Sequence, residues 1–273
     1  MLLWAKLTFK GVFFFLTDKN YRSFTFLLIL YGNRRRFKET NLRFSKYKLK
    51  IPDALSFIWQ IKEIYFQKAY KFNSARNNPL IIDCGANVGT SVLFFKELYP
   101  SSRITAFEAD PKIFIYLKEN LSKNSISDVN LVNKAVWIEN SVLKFESEGA
   151  DGASLIVDAE YENVIEVESI RLKDFVSEIR ERIDMLKIDI EGAEVQVLAD
   201  IADELIKIDH VFVEYHSFTK MGQSLGNLLQ VLEKAGFKYF IETAVPRKAP
   251  FINQYYSYNP KMDLQLNIFA YRK

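Results

Sequence analysis

The chain has 273 residues, 49% hydrophobic and 26% charged, with a net charge of +3. That length holds one large domain, or one α/β domain with an N-terminal extension, and the composition is that of an ordinary globular protein. A single cysteine, Cys84, excludes an intramolecular disulfide and a Cys-based zinc cluster, and fits a reducing compartment.

Charge is distributed unevenly. Residues 1–50 carry 12 Lys or Arg against two acids, Asp18 and Glu39, so the rest of the chain is net acidic. A basic arm of this kind suits an anionic partner: a membrane surface or a phosphate-bearing carrier, with nucleic acid less favoured. The plain alternative is a solvated arm folded onto an acidic body. The apolar runs Val12–Leu16 and Phe24–Tyr31 are too short to span a bilayer, which takes about 20 residues. No cleavage site follows a continuous apolar core, so no signal peptide is read. Interfacial attachment through Trp4, Phe13, Phe14 and Phe15 fits the pattern. These readings place the chain in the cytoplasm, peripheral to a membrane at most.

Residues 1–78 read as a basic, aromatic and mostly helical extension. Within it, one helix is expected over 51–78, capped by Asp53, with Leu55, Ile58, Ile61, Ile64, Tyr65 and Ala69 at helical spacing. From residue 79 strands and helices alternate. Strands are expected at Leu80–Cys84, Arg103–Phe107, Val129–Val132, Met185–Ile190, His210–Tyr215, Phe237–Ile241 and Leu266–Tyr271. Helices are expected up to Leu98, over Pro111–Leu121, from about Ala193, and near Leu225–Ala235. Such alternation predicts an α/β domain over 79–273 with a mainly parallel sheet. Val136–Ile138, Val142–Phe145 and Val164–Val167 read as extra short strands. Gly149, Asp151, Gly152 and Ser154 read as a loop that closes over a ligand.

The first strand ends in Asp83-Cys84-Gly85-Ala86-Asn87-Val88-Gly89, where an open α/β sheet binds ligands. Gly85 allows close backbone approach and Gly89 tight helix packing. The spacing lacks the middle glycine of the dinucleotide fingerprint, which disfavours NAD. Asp83 would repel a diphosphate and suits a cationic group, such as the α-amino group of S-adenosylmethionine. Glu108, which with Ala109 ends the second strand, can accept both hydroxyls of a ribose. Asn133 and Ala135 follow the third strand, where an adenine would lie.

The fourth strand ends in Lys187-Ile188-Asp189-Ile190-Glu191-Gly192-Ala193-Glu194. Charges in a central strand need partners or a function. The structural alternative has Lys187 pairing with Glu214 on the next strand and Glu191 capping the following helix. Asp189 is expected to face the cleft. Glu214 and His216 share a face of the fifth strand, and His216 is a candidate general base. Asp189, Glu191, Glu214 and His216 are also donor types for Mg²⁺ or Mn²⁺, though the spacing demands no metal.

These motifs, with Leu172-Lys173-Asp174-Phe175 and Val213-Glu214-Tyr215-His216, resemble the FkbM family of methyltransferases. The family more often has an acid at Lys173 and a proline at Ala109. The resemblance implies a class I, Rossmann-like fold with a seven-stranded sheet and helices on both faces. It also implies methyl transfer from S-adenosylmethionine, usually to a hydroxyl of a saccharide or natural-product-like acceptor. Asp83, Gly85, Asn87, Gly89, Glu108, Ala109, Asn133 and Ala135 are the expected cofactor contacts; Asp189, Glu191 and His216 are the expected catalytic groups. A non-catalytic adaptor of the same fold, or an NAD-dependent oxidoreductase, are the competing readings.

Overall fold

The computed structural model describes residues 11–147, 153–155, 164–243, 247–254 and 261–272. Trp4 and the loop residues Gly149, Asp151 and Gly152 lie outside them; Ser154 lies in a short strand, Ala153–Leu155.

The extension mixes helix and strand. A helical turn over 11–17 precedes α1 (Lys19–Tyr31), whose N-cap Asp18 accepts the backbone N–H groups of Asn20 and Tyr21. A hairpin follows, β1 (Thr40–Phe44) and β2 (Tyr47–Ile51). Thr40, Leu42, Phe44, Tyr47, Leu49 and Ile51 are buried, while Asn41, Arg43 and Lys48 are exposed. This is period-two patterning, not the helical patterning expected of the arm.

The single helix expected over 51–78 is replaced by two short pieces. α2 (Ala54–Gln60) is capped by Asp53 as expected, and it widens into a π-helical turn over Ile61–Phe66. There the N–H of Gln67 reaches back five residues to the carbonyl of Lys62 at 2.9 Å. Irregular chain then leads to β3 (Leu80–Cys84).

The main sheet has seven strands in the order β12-β13-β11-β10-β3-β4-β5. Five consecutive strands running to one edge, β11 (Ile208–Phe218), β10 (Ile183–Ile188), β3, β4 (Arg103–Phe107) and β5 (Val129–Val132), pair in parallel. β13 (Met262–Tyr271) runs antiparallel between β11 and β12 (Lys238–Thr243). Helices α3 (Thr90–Leu98), α4 (Pro111–Lys123), α5 (Leu172–Glu178), α6 (Glu194–Asp200) and α7 (Leu225–Lys234) fill the connections. A smaller sheet joins β6 (Ala135–Trp137), β9 (Val164–Arg171), β7 (Val142–Ser147) and β8 (Ala153–Leu155). The chain leaves β3 toward β4 on one side and returns at β10 on the other. The loops after β3 and β10 therefore diverge, and a crevice opens at their carboxyl ends.

One core layer joins the extension to the sheet: Phe44, Phe57, Ile58 and Ile61 pack in one cluster with Ile81, Val92, Phe95 and Leu117. Polar stitching accompanies it. Asn120 on α4 and Asn124 at its C-cap exchange hydrogen bonds of 2.8–3.0 Å with the backbones of Lys50 and Lys48 on β2. Asn120 also donates to the carbonyl of Val88 in the glycine loop at 2.9 Å, which ties hairpin, helix and loop together.

Candidate active site

The glycine loop is held on both sides. The N–H groups of Gly85 and Ala86 donate to the carbonyl of Phe107, and that of Asn87 donates to the Glu108 carboxylate at 2.8 Å. Gly85 has φ of +90°, and a Cβ there would lie 1.8 Å from the carbonyl oxygen of Asp189. The glycine is thus required for contact with the neighbouring strand end, not only for approach to a ligand. At Gly89 a Cβ would press on Leu117 of α4 at 2.9 Å, the tight helix packing expected.

Asp83 stands differently from the expectation. It is fully buried, accepts the Ser91 hydroxyl at 2.5 Å, and lies 3.3 Å from the Lys187 ammonium. Its charge is answered inside the protein. Lys187 lies 3.2 Å from Asp189 as well and donates to the carbonyl of Gly85 at 2.8 Å. Burial pulls the Lys187 ammonium down, but Asp189, Asp83 and Glu214 outweigh it and hold it above the usual lysine range. The expected Lys187–Glu214 pair gives way to Lys187–Asp83 because of register. Lys187 lies opposite Asp83 on β3 and Phe212 on β11, so Glu214 is two residues farther along its strand.

Glu108 is buried at the end of β4 and takes one backbone N–H on each oxygen, from Asn87 and Asp110. Burial pushes its carboxyl up to about 7 against those two bonds. Asn133 donates to the carbonyls of Glu108 and Ala109 at 2.8 and 3.2 Å, so its amide fixes that turn. Ala135 is buried at the start of β6.

The second half of the site lies at the ends of β10 and β11. Asp189, Glu214 and His216 each place one ligand-type atom within 4.8 Å of the other two. This is a donor set that suits a divalent cation. The ammonium of Lys187 already answers part of its charge. His216 Nδ1 donates to the fully buried carboxylate of Glu194 at 2.9 Å, which orients the ring and leaves Nε2 3.7 Å from both Glu191 and Glu214. Burial works against a charged imidazole, but Glu191 and Glu194 outweigh it and raise the His216 pKa well above normal. Burial, with Asp189 and Glu63 nearby, raises Glu214 in the same way.

Glu194 also accepts the N–H groups of Ile190 and Gly192 at 3.0–3.2 Å. The turn into α6 is therefore capped by Glu194, the role the structural alternative gave to Glu191. Glu191 itself occupies the left-handed region at φ of +55° with its carboxylate turned toward His216. Non-glycine residues in that region are strained and gather at functional sites.

Sequence reasoning missed Glu63. The π-helical turn carries it to the amide of Asn267 at 2.6 Å, on the β13 residue opposite Glu214. Burial and the charge of Asp189 push its carboxyl up to about 7. Gln265, opposite His216 on the same strand, donates to Glu214. The polar pair Gln265 and Asn267 on a largely apolar strand was the signal available for β13; nothing local marked Glu63.

The FkbM methyltransferase domain model matches residues 83–239, which is more than half of the chain. The chain belongs to the FkbM methyltransferase family. Methyltransferase sdnD of Sordaria araneosa is 31% identical over 199 residues, covering 59% of this chain and 74% of that one. The 2-O-methyltransferase NoeI of Sinorhizobium fredii is 30% identical over 156 residues, 50% of this chain and 63% of that one. The 31-O-demethyl-FK506 methyltransferase FkbM of Streptomyces tacrolimicus is 26% identical over 215 residues, 66% and 82% of the two chains. This FkbM-family protein is an S-adenosylmethionine-dependent methyltransferase with the class I strand order. That removes the oxidoreductase reading. No helix among its described residues is long and apolar enough to cross a membrane.

Proposed function

We propose that this methyltransferase alkylates a hydroxyl oxygen of a small-molecule acceptor, with a saccharide or natural-product-like alcohol as the class. The observation that carries the reading is the convergence of Asp189, Glu214 and His216 beside the glycine loop. Methylating an alcohol requires a group that takes its proton, and this cluster supplies several. Carboxylates at this density hold an amine protonated and without a lone pair, which favours oxygen over nitrogen as acceptor atom. One relative is named a 2-O-methyltransferase and another a methyltransferase of a 31-O-demethyl compound, which points the same way.

The residues fit the cofactor. Each Glu108 oxygen takes one backbone N–H and keeps a second lone-pair direction, which suits the two hydroxyls of a ribose. S-adenosylmethionine, when bound, supplies a methyl group activated by its sulfonium. The protein's part is to orient the acceptor hydroxyl and remove its proton. His216 is held charged and bonded to Glu194, so it steers and stabilises; Asp189, partly exposed at the strand end, is the proton acceptor. Glu63, Glu191 and Glu214 line the acceptor side.

Incubation with S-adenosylmethionine labelled in its methyl group, against matched panels of sugars, secondary alcohols and amines, is expected to give methyl ethers by mass spectrometry and NMR. A label found only on nitrogen would sink the reading. A second outcome follows from Glu108. Its ionised form accepts the ribose hydroxyls, and its carboxyl sits at about 7. Affinity for S-adenosylhomocysteine is therefore expected to rise from pH 6 to pH 8 and level off above, with roughly tenfold loss per pH unit well below the midpoint. Glu108→Gln should bind more weakly and lose that slope; an unchanged slope in calorimetry would remove Glu108 from the ribose site.

A further inference from the structure

Helix α1 is apolar on two sides. Its inner side buries Phe24 and Leu27, and Asn20 donates to the carbonyl of Tyr65 in the π-helical turn at 3.0 Å. Its outer side leaves Phe26, Ile29 and Leu30 53–71% exposed, at the spacing of one helix face. Val12, Phe13 and Leu16 of the preceding turn are 55–70% exposed. The two pieces form one surface: the Phe15 and Phe26 rings lie 5.8 Å apart, and Arg22 donates to the carbonyls of Phe15 and Leu16.

Positive charge borders this surface at both ends. Lys19 and Arg22 stand at the start of α1. Past its end come Arg34, Arg35 and Lys38, all exposed, with Phe37 58% exposed between them. The nearby acids are engaged elsewhere: Asp18 caps the helix, and Glu39 bonds Tyr116 and Lys50. We propose that this face docks on an anionic lipid surface, with Phe26, Ile29 and Leu30 entering the headgroup boundary and Arg34, Arg35 and Lys38 meeting the phosphates. Charge complementarity selects this occupant. In a second copy of the chain the same face would bring basic ends together in either helix orientation, which is repulsive. Anionic headgroups neutralise those ends, and exposed Phe, Ile and Leu flanked by Arg and Lys match an interfacial helix. The inference stands apart from the identity of the methyl acceptor.

The test is co-sedimentation of the full chain with vesicles of phosphatidylcholine alone or mixed with phosphatidylglycerol, at low and high salt. Binding is expected to the mixed vesicles, weakened by salt. R34E/R35E and, separately, I29S/L30S should each reduce the bound fraction by about tenfold or more. Circular dichroism and S-adenosylhomocysteine binding should be unchanged in both, since none of these side chains is buried. Three results would overturn the proposal: no binding to either vesicle, equal binding to both, or a dimer in solution that the same substitutions dissolve.

Discussion

Replacing Asp189 by asparagine is expected to lower turnover by about 10²–10⁴-fold, the range lost with a positioned proton acceptor. The substitution keeps the shape of the side chain and the backbone bond from Asp189 N–H to the carbonyl of Cys84 at 3.1 Å. It removes the basic oxygen and one of the two carboxylates beside Lys187, and leaves Asp83 to hold that ammonium. Binding of S-adenosylhomocysteine should stay within about threefold of the parent, because the loss falls on the transition state rather than on ground-state binding. The measurement is kcat on the alcohol identified in the acceptor panel, alongside calorimetry with S-adenosylhomocysteine. Turnover near the parent value would assign the proton to another group of the cluster, and a large drop in cofactor affinity would make Asp189 a binding residue.

Lys187→Met is expected to cost about 3–5 kcal/mol of stability, as removal of one member of a buried ion pair does. Lys187 is nearly fully buried in the middle of the sheet, where methionine fills similar volume without the charge. The change strands Asp83, which has no exposure and keeps its bond from the Ser91 hydroxyl, and deprives the carbonyl of Gly85 of the Lys187 donor. The loss should appear as a lower midpoint in urea with an unchanged slope. Asp83→Asn combined with Lys187→Met removes the stranded charge and should recover more than half of it. A single variant within about 1 kcal/mol of the parent would show that the charge at Asp83 is answered by something other than Lys187.

The strands of the main sheet were legible because parallel strands buried on both faces are short, apolar and β-branched: Leu80-Ile81-Ile82 and Ile104-Thr105-Ala106 declare themselves. The ends of those strands were legible as site positions because charge in such a setting needs a reason. Partner choice was not legible. Whether Lys187 meets Asp83 or Glu214 depends on a register between strands more than 20 residues apart in sequence, and no local pattern encodes it. The hairpin at Thr40–Ile51 was masked by its own charge: Arg43, Lys48 and Lys50 made it read as a solvated arm, although the residues between them alternate inward. The π-helical turn was hidden for a third reason. Ile61, Ile64 and Tyr65 fit an ordinary helix, and the widening that turns Glu63 toward Asn267 is set by what the turn packs against.

Glu63 reaches the acid cluster from outside the segment shared with the family, which begins at residue 83. On the proposed assignment the acceptor side is thus composite, with Glu191 and Glu214 from the matched segment and Glu63 from the chain before it. The proposed cofactor contacts, from the glycine loop to Ala135, lie wholly in the matched segment. Under that assignment a substitution at Glu63 reshapes the acceptor wall while every proposed cofactor contact keeps its own residue.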